Sequence, residues 1–345
     1  MKKELTDVIR KYAAEAETLG ELHPGQLRII EEQRWFHLFV PREYGGLGLS
    51  LPDAVRLEEE IAYADGSVGW VVTLCAGATM FIGYFDKPLA DEVFADRNVC
   101  IAGSGHVSGT AIPNPDGYLV NGAWPYASGA PHASWFTANC LVGQKVQSFI
   151  FKREEVALQP TWKYLGLNAT AGYSYAATNL QVPANRTFII DAAHAVLPQP
   201  VYKYPFLQLA ETTISANISG MSMYFIDLAH GLLLAKEPKY ARVETVRKKG
   251  LSLLANALEE MKALRMAFYD ALDDSWQKHT VSRNVSSPVL KKVSKVSLRL
   301  AQRSRELVNT LYPYCGLDAA RPETVINQVW RNINTASQHT LLLEI

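Results

Sequence analysis

Residues 116–135 read DGYLVNGAWPYASGAPHASW, and the fold turns on how this stretch is read. Asp116-Gly117 opens it as a turn, and Tyr118, Leu119 and Val120 are strand-formers. Asn121-Gly122 then interrupts, and Trp124 and Tyr126 resume the apolar pattern. Asn-Gly between two β-prone runs predicts a hairpin turn at 121–122, because both central residues of that turn need positive φ. The second arm ends in Ala127-Ser128-Gly129-Ala130, small residues that allow a flat ligand close to the backbone. Two aromatics, a hydroxyl, a glycine and His132 are thus expected at one strand end.

Outward from this stretch, segments of four to eight β-branched and aromatic residues alternate with Gly, Pro and Asn from about Asn98 to Phe188. Trp135–Val142, Gln147–Phe151, Ala157–Pro160 and Tyr173–Val182 are examples. The spacing predicts a small antiparallel barrel or sandwich. Gly103-Ser-Gly105-His-Val-Ser-Gly109 lies within it. Its third glycine is one place late for a dinucleotide loop, and Pro113 and Pro115 occupy the place of the following helix, so a Rossmann reading is rejected.

Both flanks read as helix. Residues 2–20 form one amphipathic pattern and Gly25 to Phe39 a second. The glycine-rich 41–50 segment has no lysine and reads as a connection, not a phosphate cradle. Pro52 opens the next helix, and Asp65-Gly66-Ser67 caps another that runs to about Tyr84. The apolar run from Val68 to Phe85 is interrupted by Thr, Cys and Gly and reads as a buried helix, not a membrane span. After Pro205 four apolar stripes follow, one of them Ile214, Ile218, Met221, Phe225, Leu228 and Leu232, as in an antiparallel four-helix bundle. The expected class is α+β, with an N-terminal helical domain (1–97), a central β-domain (98–195) and a C-terminal four-helix bundle (196–345).

Several chemistries have no support. Lys+Arg and Asp+Glu both total 34, so there is no basic excess for nucleic acid, and the neutral charge suits a homo-oligomer. Cys75, Cys100, Cys140 and Cys315 form no C-x-x-C and are expected as buried thiols in a reducing cytoplasm. The charged N-terminus has no signal-peptide core. No two of the eight histidines stand at i, i+4, so no metal site is expected. No G-x-S-x-G elbow accompanies Ser128 and His132, which disfavours a Ser/His hydrolase.

The order of helices, β-domain and bundle resembles the acyl-CoA dehydrogenase superfamily. So do Phe39-Val-Pro41-Arg-Glu-Tyr44-Gly45-Gly46-Leu-Gly48, Glu58-Glu-Glu60-Ile61-Ala62, Asp65-Gly66-Ser67, Leu165-Gly166 and Val182-Pro183-x-x-Arg186. Two further motifs resemble its two-component flavin monooxygenases. Trp124-Pro-Tyr126-Ala-Ser128-Gly129-Ala-x-His132-Ala133 matches their W-x-x-x-S-G-x-x-H-A. Trp330-Arg331-Asn332-x-x-x-Ala336-x-Gln338-His339 matches their W-R-D-x-x-x-A-x-Q-H, with Asn332 in place of the aspartate and Gln328 where arginine is frequent.

The resemblance implies an oxygenase component that takes reduced FAD or FMN from a separate flavin reductase and, with O₂, oxidises a small aromatic or heteroatom-containing substrate. A homodimer or homotetramer is implied as well. Ser128 and the backbone of Tyr126, Ala127 and Gly129 would meet the flavin near its reactive edge, with Ser104 and Arg331 also in contact. His339 would sit over the ring, and Trp124 would pack the β-domain. An acyl-CoA-dehydrogenase-type FAD oxidoreductase is the alternative, but the helix that carries its base holds His339-Thr340-Leu341, and Glu344 is the nearest carboxylate. A flavin-less binding or scaffold relative is a third reading.

Overall fold

The computed structural model describes residues 1–235, 237, 240–282 and 285–343. The first third is helical: α1 (Lys3–Lys11), α2 (Ala13–Leu19), α3 (Pro24–Glu32), α4 (Leu51–Ala64), α5 (Gly66–Thr79) and α6 (Lys87–Val93). The single helix expected over 2–20 is two, broken at Tyr12, whose ring stacks on His23 at 4.0 Å. The helix expected to reach Phe39 stops at Glu32, because Arg34 takes a left-handed conformation. The Asp65 cap is as expected, with Oδ1 accepting from Val68 N at the start of α5, and α4 starts beside Pro52, where Ser50 Oγ accepts from Asp53 N.

α5 decides the packing. Twelve of its fourteen residues are buried, so it has no solvent face and must be covered on every side. α4, α7 (Phe206–Ala235), the central sheet and α11 (Val325–Ala336) cover it. The 66–84 and 206–235 segments are long and apolar enough to span a bilayer, yet 89% of the first window lies inside the protein. It is core. α7 in turn packs on α8 (Ala241–Ser282) and α9 (Ser287–Cys315), and the short α10 (Leu317–Ala320) leads into α11.

The middle third is one seven-stranded sheet: β1 (Ile101–Asn114), β2 (Gly117–Ala127), β3 (Trp135–Val142), β4 (Lys145–Lys152), β5 (Ala157–Gln159), β6 (Tyr173–Val182) and β7 (Thr187–Phe188), in the order β5-β6-β2-β1-β3-β4-β7. The sheet is mixed, since β1 and β3 run parallel while the other pairs are antiparallel. All four cysteines are buried.

The turn expected at Asn121-Gly122 is not there. The hairpin closes earlier, at Pro115-Asp116, with Gly117 at φ 126°, and β2 runs unbroken through 121–122. Gly122 serves close approach instead. It pairs with Gly109, and a Cβ there would lie 2.7 Å from Gly109 Cα and 2.8 Å from the Trp124 ring. Trp124 is fully buried, stacks on Tyr175 at 5.3 Å and donates from Nε1 to Asn139 O, so it packs the β-domain as expected.

We expect Gly122→Ala to lower stability by about 1–3 kcal/mol, the usual cost of forcing an extra methyl into a filled interior. Gly231→Ala, on an exposed stretch of α7 with nothing within 4 Å, should raise it by about 0.5–1 kcal/mol. Urea melts of the two variants check both signs.

Candidate active site

A cavity of about 220 Å³ lies where the sheet meets both helical regions. α5 gives it Thr73, Leu74 and Gly77, and β1 gives Gly103, Ser104 and Gly105. α7 contributes Leu209 and Ile214, and His339 and Leu341 close it from beyond α11. No Asp or Glu lines it among the described residues; Glu344 lies outside them.

His339 is mostly buried, and its ring meets Trp70 edge-on at 6.0 Å. Burial, and then the neighbouring His106, lower its pKa, so the ring is neutral at pH 7. Its Nδ1 accepts from Leu341 N. That fixes the remaining proton on Nε2, and the ring is therefore a donor. Ser104 Oγ accepts from His106 N at 3.3 Å. Of the residues expected at the site, Ser104 and His339 meet in the cavity lining.

The others stand elsewhere. Tyr126 adopts φ 68°, a left-handed conformation rare for an aromatic residue, at an irregularity in the β2–β6 ladder. The ring is turned outward, half exposed, 5.5 Å from His106 and 6.1 Å from Tyr164. Ala127 and Ser128 are buried against α5, where Cys75 Sγ donates to Ser128 O. The Ser128 hydroxyl forms no hydrogen bond among the described residues. Gly129, at φ 77°, donates to Thr170 O. Arg331 is already engaged: it pairs with Glu17 at 2.5 Å and donates to Asn327 Oδ1, Leu165 O and Pro322 O. Asn332, where the family pattern has aspartate, still accepts from Leu167 N at 2.6 Å.

Sequence reasoning missed the α5 wall. Gly77 lines the cavity, and a Cβ there would meet nothing within 4 Å. It also missed Glu58 of α4, fully buried beside Thr73. Burial pushes this carboxyl up to about 8, offset only in part by Thr73. The adjacent Glu59 goes the other way. Burial would raise it as well, but Arg265, Ser219 and Tyr269 all bond its oxygens and hold it below its usual value.

Residues 1–85 match the acyl-CoA dehydrogenase N-terminal domain, and residues 245–344 match the acyl-CoA dehydrogenase C-terminal domain. The chain belongs to the acyl-CoA dehydrogenase superfamily. Curated relatives that it resembles are flavin-dependent monooxygenases. It is 25% identical to the flavin-dependent monooxygenase oxygenase subunit HsaA of Mycobacterium tuberculosis, over 96% of this chain and 88% of that one. The crystal structure of 3-HSA hydroxylase from Rhodococcus sp. RHA1 superposes with a TM-score of 0.89 at 23% identity, covering 98% of this chain and 91% of that chain. XiaF from Streptomyces sp., solved with FADH2 and glycerol, gives 0.88 at 20% identity, covering 98% and 89%. The acyl-CoA dehydrogenase layout of helices, sheet and bundle thus extends over nearly the whole chain.

Two outcomes are expected. Glu58 is neutral when folded but ionised in the unfolded chain above its ordinary value of 4.5. The folded state then holds one more proton, so this group's stabilisation is full below pH 4.5 and is lost as pH rises toward about 8. Glu58→Gln should remove that slope, about 1.4 kcal/mol per pH unit at its steepest, as read by thermal melts across pH. Gly77→Phe should fill the cavity and abolish binding of aromatic ligands with melting unchanged; equilibrium dialysis and calorimetry test the pair.

Proposed function

We propose that the chain is the oxygenase component of a two-component monooxygenase. It takes reduced FAD or FMN from a separate reductase and inserts one atom of O₂ into a small aromatic or heteroatom-containing compound, the other atom leaving as water. The observation that carries this is His339, a neutral donor set in a largely apolar cavity beside Ser104. The oxygenase-subunit relatives point the same way.

The residues present suit a flavin. Tyr126, Trp162 and Tyr164 form a partly exposed aromatic shelf next to His106, which fits a planar ring system. When bound, the reduced flavin supplies the electrons that activate O₂. His339 would hold a hydrogen bond to the reacting oxygen from Nε2, and Ser128 with the Tyr126–Gly129 backbone would contact the ring edge. Ser104 would fix a polar atom of the cofactor or substrate. The apolar walls exclude water, which protects reactive species and strengthens each polar contact. Arg331 would act by bracing α11 against Glu17 and Leu165, which sets where His339 comes to lie.

A dehydrogenase of the same fold abstracts a proton α to a thioester and needs a base within reach. Among the described residues the lining holds no carboxylate, which favours the monooxygenase. A cytoplasmic homodimer or homotetramer completes the proposal.

The protein should purify colourless and bind reduced flavin in an anaerobic titration. Ser128→Ala should weaken that binding by about tenfold, the worth of one hydrogen bond. His339→Ala should leave flavin affinity nearly intact and shift O₂ consumption from product to hydrogen peroxide. Tight retention of oxidised FAD, or full coupling in His339→Ala, would overturn the assignment.

A further inference from the structure

Glu58, Thr73 and Asn217 meet where α4, α5 and α7 cross. Gly69 allows the close approach there: a Cβ on it would lie 2.6 Å from Ala62 Cα and 2.8 Å from Asn217 Nδ2. Asn217 Nδ2 donates to Thr73 Oγ1 at 3.5 Å. The Glu58 carboxyl has Thr73 as its polar neighbour, without closing a hydrogen bond of normal geometry, and both its oxygens are unpartnered among the described residues. No charged group acts on it, since Arg265 is taken up by Glu59 on the next position of α4. Asn217 Oδ1 is likewise unpartnered. Of the three, only Thr73 lines the cavity.

A hydroxyl has one proton and two lone pairs. Asn217 occupies one lone pair of Thr73. A neutral carboxylic acid can give its own proton to the other. An ionised carboxylate can only accept, and would draw the threonine proton away from the cavity. The protonation state of one sealed-in acid therefore decides whether the cavity wall offers a donor or an acceptor. Burial keeps Glu58 in the donating form at neutral pH.

We propose that Thr73 is a specificity-determining contact, presenting its O–H to an acceptor oxygen, phenolic or carbonyl, on a ring-shaped substrate, and that Glu58 is the positioning residue that holds Thr73 in that orientation. This rests on the reading of the cavity as the substrate site. It deepens that reading by naming the feature a substrate must carry.

The test uses the full chain, anaerobically with reduced flavin, and two probes of one shape, 2-naphthol and naphthalene. Thr73→Val should weaken naphthol binding about tenfold, one hydrogen bond's worth, and leave naphthalene unchanged. Glu58→Met should do the same. Glu58→Gln, whose amide N–H can replace the acid proton, should restore the preference for naphthol. In the flavin-free chain, the infrared band of a protonated carboxyl should be present at pH 7, absent in Glu58→Gln, and shifted by naphthol but not by naphthalene. Equal naphthol affinity in Thr73→Val and the unaltered chain, or a missing carboxyl band, would overturn this inference alone. If neither probe binds the unaltered chain, the substrate-site reading falls and takes this inference with it.

Discussion

The structure depends on sealing one helix from water on every side. α5 has no polar stripe, so it cannot lie on a surface. Two helical regions and the sheet are brought to one place because each must cover part of it. The cavity is what remains where that covering is incomplete. Its walls are apolar for the same reason that α5 is central, and its polar groups are few enough for each to carry a role.

Glu58 and Glu59 show how far local surroundings govern chemistry. They are consecutive residues of α4 and both are buried. Glu59 finds a guanidinium, a phenol and a hydroxyl, and stays ionised. Glu58 points where nothing charged can follow and keeps its proton. A buried carboxylate with donors is a structural brace, whereas one without becomes a neutral acid. The neighbouring positions thus divide the work: one ties α4 to α8, and the other faces the cavity wall.

Much of this was legible in the sequence. The helix start at Pro52, the cap at Asp65, the helix–sheet–helix order and four of the strands follow from short-range rules, because those features are set by adjacent residues. Asn121-Gly122 misled because its glycine answers a cross-strand crowding, against Gly109 and Trp124, that no local pattern reveals. The parallel pairing of β1 with β3 was hidden too, since it joins segments that a hairpin separates in the chain. His339 and Ser104 could be nominated by motif and position. Thr73, Gly77 and Glu58 could not, because a threonine or a glycine in an apolar helix looks like filler until its far side proves empty, and the acid's importance lies in partners it lacks.

Gly77 has one more implication. Its α-carbon borders a void, and the helical backbone there places no demand for glycine. A larger side chain at this position would grow into unoccupied space without disturbing a neighbour. On the proposed reading of the cavity as the substrate site, substrate range can therefore drift through single replacements that leave folding nearly untouched. The site is in this sense held apart from the scaffold: selection can act on its shape while the surrounding architecture stays fixed.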